Sequence, residues 1–220
     1  MKCSWALYVF FATLLAVAFS GCSEPRTARQ AEPLRRDAVA RERAAKDAAF
    51  RTGGESPIPV ADREAFRGLS YYPLNPALRF TVMLERYPAP KQVRLGTNTG
   101  EIRRALRYGY FDFEVEDRAC RLNVYRLDEG SGGKSLLFMP FRDATSGAGT
   151  YAAGRYLELE ENTSGVYEVD FNRAYNPYCA YNGEYSCPVP PDENTLRVPI
   201  RAGERDYAPP RGAKTAPSGF

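Results

Sequence analysis

The sequence predicts a mainly β fold, an antiparallel β sandwich or barrel preceded by a short N-terminal helix. Three observations carry this. From Ser70 onward, apolar residues recur at every second position in runs of four to eight residues, the period of a half-buried strand. Turn clusters such as EGSGGK and TSGAG separate these runs, as in antiparallel sheets. The chain also holds 15 Tyr and 12 Phe, and aromatic side chains fit a pleated, half-buried surface.

The elements follow in order. Residues 31–51 (AEPLRRDAVARERAAKDAAFR) are rich in the helix formers Ala, Arg and Glu. Their apolar stripe is thin (Leu34, Ala38, Ala45, Ala49), which predicts a mostly exposed helix docked only by its last turn through Phe50. TGGESPIP then breaks it. Strands are expected at Phe80/Val82/Leu84, Phe111/Phe113/Val115, Cys120/Leu122/Val124, Leu137/Met139/Phe141, Leu157/Leu159 and Tyr167/Val169/Phe171. Thr195 to Ile200 is a further candidate. No internal repeat is visible. The expected division is 1–21 signal peptide, 22–69 helical spacer and linker, 70–207 β domain and 208–220 disordered tail.

The N-terminus speaks to compartment. Met1-Lys2 is basic, residues 5–19 (WALYVFFATLLAVAF) are apolar, and Ser20-Gly21 supplies small residues, the layout of a secretory signal. Its apolar stretch is shorter than the ~20 residues of a spanning helix. Phe19-Ser20-Gly21-Cys22 resembles a bacterial lipobox with Phe in place of the usual Leu, so Cys22 is the expected lipidation site. Several acyl chains would hold the protein firmly at a membrane, at about 0.8 kcal/mol per buried methylene. Ser23 after the cysteine, rather than Asp, favours the outer membrane in that pattern, with the domain facing the periplasm.

Charge and residue types exclude several functions. The formal net charge is +3, but residues 22–51 alone hold eight basic against five acidic side chains, leaving a nearly neutral body. Such a body has no electrostatic footprint for nucleic acid. There is no histidine, which removes Ser-His-Asp and Cys-His nucleophiles and histidine-ligated zinc or haem. With Cys3 cleaved away and Cys22 lipidated, Cys120, Cys179 and Cys187 remain, too few for a four-cysteine zinc site. No metal site and no cofactor are implied.

Candidate motifs are few. GSGGKS at 130–135 fails as a phosphate loop because Asp128 stands where glycine is needed, and the strand-like SLLFMPF follows it. The hairpin over residues 135–160 is more informative. Period two places Asp143 on the face of Leu137, Met139 and Phe141, and Arg155 on the face of Leu157 and Leu159. Buried charges need partners, so the two should meet, either as a structural ion pair or as the floor of a polar pocket near Thr145, Tyr151 and Tyr156. In YNPYCAYNGEYSCPVPP (175–191), the Asn182-Gly183 turn folds Cys179 back toward Cys187. A disulfide is expected in an oxidising compartment, contributing roughly 2.5 kcal/mol. Two free thiols are the alternative. Cys120 reads as a small buried hydrophobe.

FMPFRDATSGAGTYAAGRYLELE, VDFNRAYNPYCAYNGEYSCPVPPDEN and IRAGE together resemble the signature of the domain-of-unknown-function family 1684. SPIP, FRGLSYYPLNPALRF and the RYG at 107–109 fit its upstream part, so the resemblance covers about residues 35–207. It implies no settled activity. It points to Asp143, Thr145, Tyr151, Gly154 and Arg155 on the hairpin as signature positions. Asn172, Tyr175, Asn176, Pro177, Glu193 and Asn194 in the following loops belong to the same signature.

Three functions compete. The first is an envelope binding module whose hairpin (Asp143, Thr145, Tyr151, Arg155) and 172–194 loop (Asn172, Tyr175, Asn176, Glu193, Asn194) line a polar and aromatic cleft for an envelope polymer or a small polar ligand. The second is a histidine-free hydrolase. It would use Asp143, Glu158 or Glu193 as acid or base, with Tyr151 or Arg155 stabilising charge. The third is a structural or assembly role at the outer membrane. Two carboxylates facing an open cleft would favour the enzyme, and a satisfied ion pair in a closed core the structural role.

Overall fold

The computed structural model describes residues 26–127 and 136–209, with side chains from Arg35 onward. The signal segment 1–21, Cys22, the GSGGKS loop and most of the 208–220 tail lie outside the described residues. The chain divides into two units at Arg35/Arg36, and all that follows concerns the one from Arg36 onward. Among the described residues no helix is long and apolar enough to cross a membrane.

Helix α1 runs Arg26–Thr52. Gly53 ends it, its N–H returning to the Ala49 carbonyl at 2.7 Å. Any side chain there would strike that same oxygen, because a Cβ would stand 2.5 Å from it. Phe50 is buried as expected, but so is Val39, and the helix docks over more than its last turn. Val39, Arg43, Lys46 and Phe50 follow at steps of four, three and four, one stripe of a helix. The expected spacer is therefore part of the packed body from Arg36 onward. Phe50, Ile58 and Phe66 are buried in one cluster with Tyr151, Cys179 and Tyr181.

Among the described residues, seven strands form two antiparallel sheets, a sandwich-like arrangement. β2 (Glu85–Gly96), β3 (Ile102–Val115), β4 (Arg118–Leu127), β5 (Leu136–Phe141) and β6 (Arg155–Glu160) lie in sequence order in a five-stranded sheet. β1 (Arg79–Met83) and β7 (Val166–Asp170) pair separately. The main core fills the space between: Phe80 of β1 meets Phe113 of β3 at 5.0 Å between ring centroids, and Tyr167 of β7 meets Phe111 at 5.4 Å. A fully buried ring such as Phe111 contributes about 1.5–3 kcal/mol by leaving water.

Two expectations differ from the structure. β2 has no counterpart among the expected strands, and it carries Pro88 and Pro90, which cannot donate to a ladder. It is an edge strand, and the prolines fall where the register jumps from Arg86↔Gly109 to Lys91↔Arg107, a position that tolerates them. Conversely, Thr195–Ile200 is no strand. It lies extended along the chain after β5, with single bonds Leu196 N–H to Arg142 O at 2.8 Å and Ala144 N–H to Val198 O at 3.1 Å. The Ile200 N–H goes to the Asp143 carboxylate instead of to a neighbouring strand.

Candidate functional site

Asp143 and Arg155 do meet, and they meet in a closed core. Arg155 Nη2 donates to Asp143 Oδ2 at 3.0 Å, with the residues 5% and 0% exposed. Gly154 lets β6 start here. Its φ is +105°, and a Cβ would stand 2.5 Å from the Phe141 carbonyl. Asp143 Oδ1 accepts from the Thr145 N–H (2.8 Å), the Thr145 hydroxyl (2.6 Å) and the Ile200 N–H (3.1 Å). Arg155 also donates to the carbonyls of Ile200, Ala202 and Glu204. Burial pulls the Arg155 guanidinium below its ordinary value, and Asp143 opposes that. The carboxylate holds three donors on Oδ1 and Arg155 on Oδ2, and the closed core around it leaves a ligand no approach. The expected pocket floor is a structural brace tying the hairpin to residues 200–204.

The loop candidates separate in the same way. Asn194 is fully buried, donating to the carbonyls of Asn123 and Pro140 and accepting from Asn123 N–H and Nδ2. Glu193, beside it, is exposed and accepts from the Tyr125 hydroxyl at 2.8 Å. Asn176 is buried and donates through its N–H to Glu204 and through Nδ2 to the Arg205 carbonyl. Tyr151 is buried, its hydroxyl donating to Cys179 Sγ at 3.7 Å. Glu158 is exposed on β6, next to Tyr175, whose phenol is pushed well up by burial and then by that carboxylate.

The expected disulfide is not formed. Cys179 and Cys187 are free, buried thiols held side by side. Each sulfur is a hydrogen-bonding partner, with Cys179 N–H donating to Cys187 Sγ at 3.3 Å. The contact between the thiols splits their acidities. The hydrogen bond from Cys179 pulls Cys187 down to about 7 and pushes Cys179 up.

A cleft of about 150 Å³ opens where α1 meets the β domain. Its walls include Val39, Arg43 and Lys46 from α1, Tyr71, and Asn172 to Tyr175. Glu204 lies at its base, 2% exposed, accepting from Lys46 Nζ (2.5 Å), Asn176 N–H (2.8 Å) and the Tyr181 hydroxyl (2.6 Å). Glu42 and Arg173 form a bidentate pair at the rim, at 2.9 and 3.0 Å. Arg43 differs from both. It donates only to carbonyls, Tyr72 O at 3.2 Å and Asn172 O at 3.0 Å, and its guanidinium lies 4.3 Å from the centre of the Tyr71 ring. Arg43 Nε and the Tyr71 hydroxyl are buried without a hydrogen-bond partner. Burial pulls the Arg43 guanidinium down and pushes the Tyr71 phenol up, with Glu204 adding to the latter, so the phenol remains a neutral donor.

Of the residues expected at a ligand site, the structure brings Asn172 and Tyr175 to this cleft, while Asp143, Thr145, Tyr151, Arg155, Asn176, Glu193 and Asn194 are not among its lining. Arg43, Lys46, Tyr71 and Glu204 were not expected. The signal available for the first two was their spacing with Val39 and Phe50; read as charges on an exposed helix, they concealed a buried stripe.

Fold and site define a two-sheet antiparallel β domain, braced by a buried ion pair, with a helix closing a cation-lined cleft. A profile of the family described as "Protein of unknown function (DUF1684)" matches residues 64–205, and the chain belongs to that family. A solved structure similar to it is the NMR structure of the uncharacterized protein from gene locus rrnAC0354 of Haloarcula marismortui. The two are 34% identical over 80% of this chain and 96% of that one, with a TM-score of 0.62. Among curated proteins, none matches.

Proposed function

We propose that this chain is a lipid-anchored binding module of the bacterial cell envelope. It takes a small polar ligand, or one unit of an envelope polymer, in the cleft beneath α1. The observation that carries the reading is the cleft itself: apolar and aromatic walls beside convergent polar groups, two of them donors without partners. The FSGC motif supports the anchor, with Cys22 as the acylated residue and the domain facing the periplasm from the outer membrane. The hydrolase reading loses support from the site, since Asp143 is closed in the core against Arg155 and both carboxylates of the cleft are held in ion pairs.

The experiment has two arms. Cys22→Ala should release the protein from the membrane fraction or block its processing. In the second, envelope glycans and small polar metabolites are screened by thermal shift, and at least one should raise the melting temperature. A Cys22→Ala variant that fractionates as wild type with the same mass removes the anchor. A screen without a single stabilising compound removes the binding module.

A further inference from the structure

We infer that the ligand of this cleft is a short-chain monocarboxylate, an inference that rests on the binding reading above and narrows it. The argument is a census of unused hydrogen-bonding capacity. A guanidinium has five N–H donors. Arg43 uses one from each terminal nitrogen, on Tyr72 O and Asn172 O, which leaves three, including Nε–H. The Tyr71 hydroxyl makes no hydrogen bond of good geometry, although the Glu204 carboxylate acts on it, so it is a fourth donor open to a better acceptor. Lys46 gives one bond to Glu204, and its ammonium otherwise faces the rings of Phe50 and Tyr175 at 5.1 and 5.0 Å.

The acceptors are in the opposite state. Glu204 takes three bonds on its two oxygens, and Glu42 takes both of Arg173's. Asn172 spends its side chain on Asn75 and Asp170. The two other buried polar atoms without partners, Arg155 Nε and Asn176 Oδ1, belong to residues outside the lining. What the cleft lacks is therefore an acceptor, and the strongest acceptor is an anion.

Charge sets the valence. In the lining, Lys46 pairs with Glu204 and Arg173 with Glu42, which leaves the positive charge of Arg43 without a carboxylate in contact; Glu204 and Asp170 act on it only from a distance. A monoanion balances it, whereas a phosphate monoester near −2 overshoots. Size and walls set the rest. About 150 Å³ has room for several waters or one small molecule. That suits a carboxylate with a few carbons against Val39, Ala174 and the Tyr175 ring. The carboxylate would take the outward N–H groups of Arg43 first. Arg43 Nε and the Tyr71 hydroxyl, now closed off from water, would come into reach as the side chain shifts.

The test is a titration of the full chain in mild neutral detergent, following the amide resonances of Asn172 to Tyr175. The probes are sodium butyrate, neutral butyramide, inorganic phosphate, glucose and a neutral disaccharide. Butyrate should move these resonances saturably, with a dissociation constant of about 1 mM for so small a ligand. Butyramide should leave them in place. Arg43→Gln should weaken butyrate at least tenfold, and Tyr71→Phe, the milder variant, severalfold, with the Phe111 resonance as a check on folding. A neutral sugar that binds where butyrate does not overturns the carboxylate and leaves the binding module standing. Phosphate binding as tightly as butyrate overturns the carboxylate and leaves a general anion site. If no probe moves these resonances, the carboxylate and the cleft fall together.

Discussion

Two arginines of this domain point into polar surroundings, and they end in opposite states. Arg155 lies in the core between β5 and the 200–204 segment, bonded to Asp143 and to three carbonyls through four of its five N–H groups, with Nε–H alone left over. Arg43 lies on α1 above the cleft, bonded to two carbonyls and to no carboxylate, with a partnerless phenol stacked beneath it. The first arrangement pairs a buried charge in order to keep it buried. The second leaves donors unspent at an opening. Burial and polarity alone do not separate a brace from a binding surface; the count of unused donors and acceptors does.

The contrast can be broken at its strongest point first. Arg155→Met strands the Asp143 carboxylate in the core and should destabilise the domain by about 3–5 kcal/mol in urea unfolding. Adding Asp143→Leu should show a coupling of at least ~1 kcal/mol in the double-mutant cycle, since the side chains touch. Recovery should be partial, because the Ile200 N–H and the carbonyls that Arg155 served stay unpaired. A cycle without coupling would make the pair no brace at all.

A smaller effect sharpens the same side of the comparison. Asn194→Ala removes a fully buried amide and leaves the Asn123 N–H and the Pro140 carbonyl unserved. The expected loss is about 2–3 kcal/mol, read by thermal or denaturant unfolding. A loss below ~0.5 kcal/mol would mean that water replaces the amide and the site is open.

The smallest effect tests the other side. Tyr71→Phe deletes a buried hydroxyl that makes no hydrogen bond of good geometry, so stability should stay level or rise by up to about 1 kcal/mol. A loss of more than 1 kcal/mol would show that the hydroxyl is engaged and that cleft and core follow one rule.

The sequence by itself determined the sheet and its brace. Period two put Leu137, Met139 and Phe141 on the face that also carries Asp143, and an apolar face that admits a carboxylate and a guanidinium forces them together. The strands at Phe80, Phe111, Leu122 and Tyr167 follow from the same alternation, because a strand reports its buried face locally. β2 did not, since two prolines are acceptable only if the strand lies at an edge, and edge position belongs to the sheet. The thiols near Asn182-Gly183 were placed together by the turn, but the turn does not foretell that both stay free, nor that the Tyr151 hydroxyl from the hairpin reaches Cys179. The cleft is the extreme case. Whether Arg43 faces water or a phenol ring depends on docking α1 against Tyr71 and Glu204, 28 and 161 positions along the chain. No local pattern encodes the hydrogen bonds that a side chain will fail to make, and only the tertiary structure decides which donors are left over.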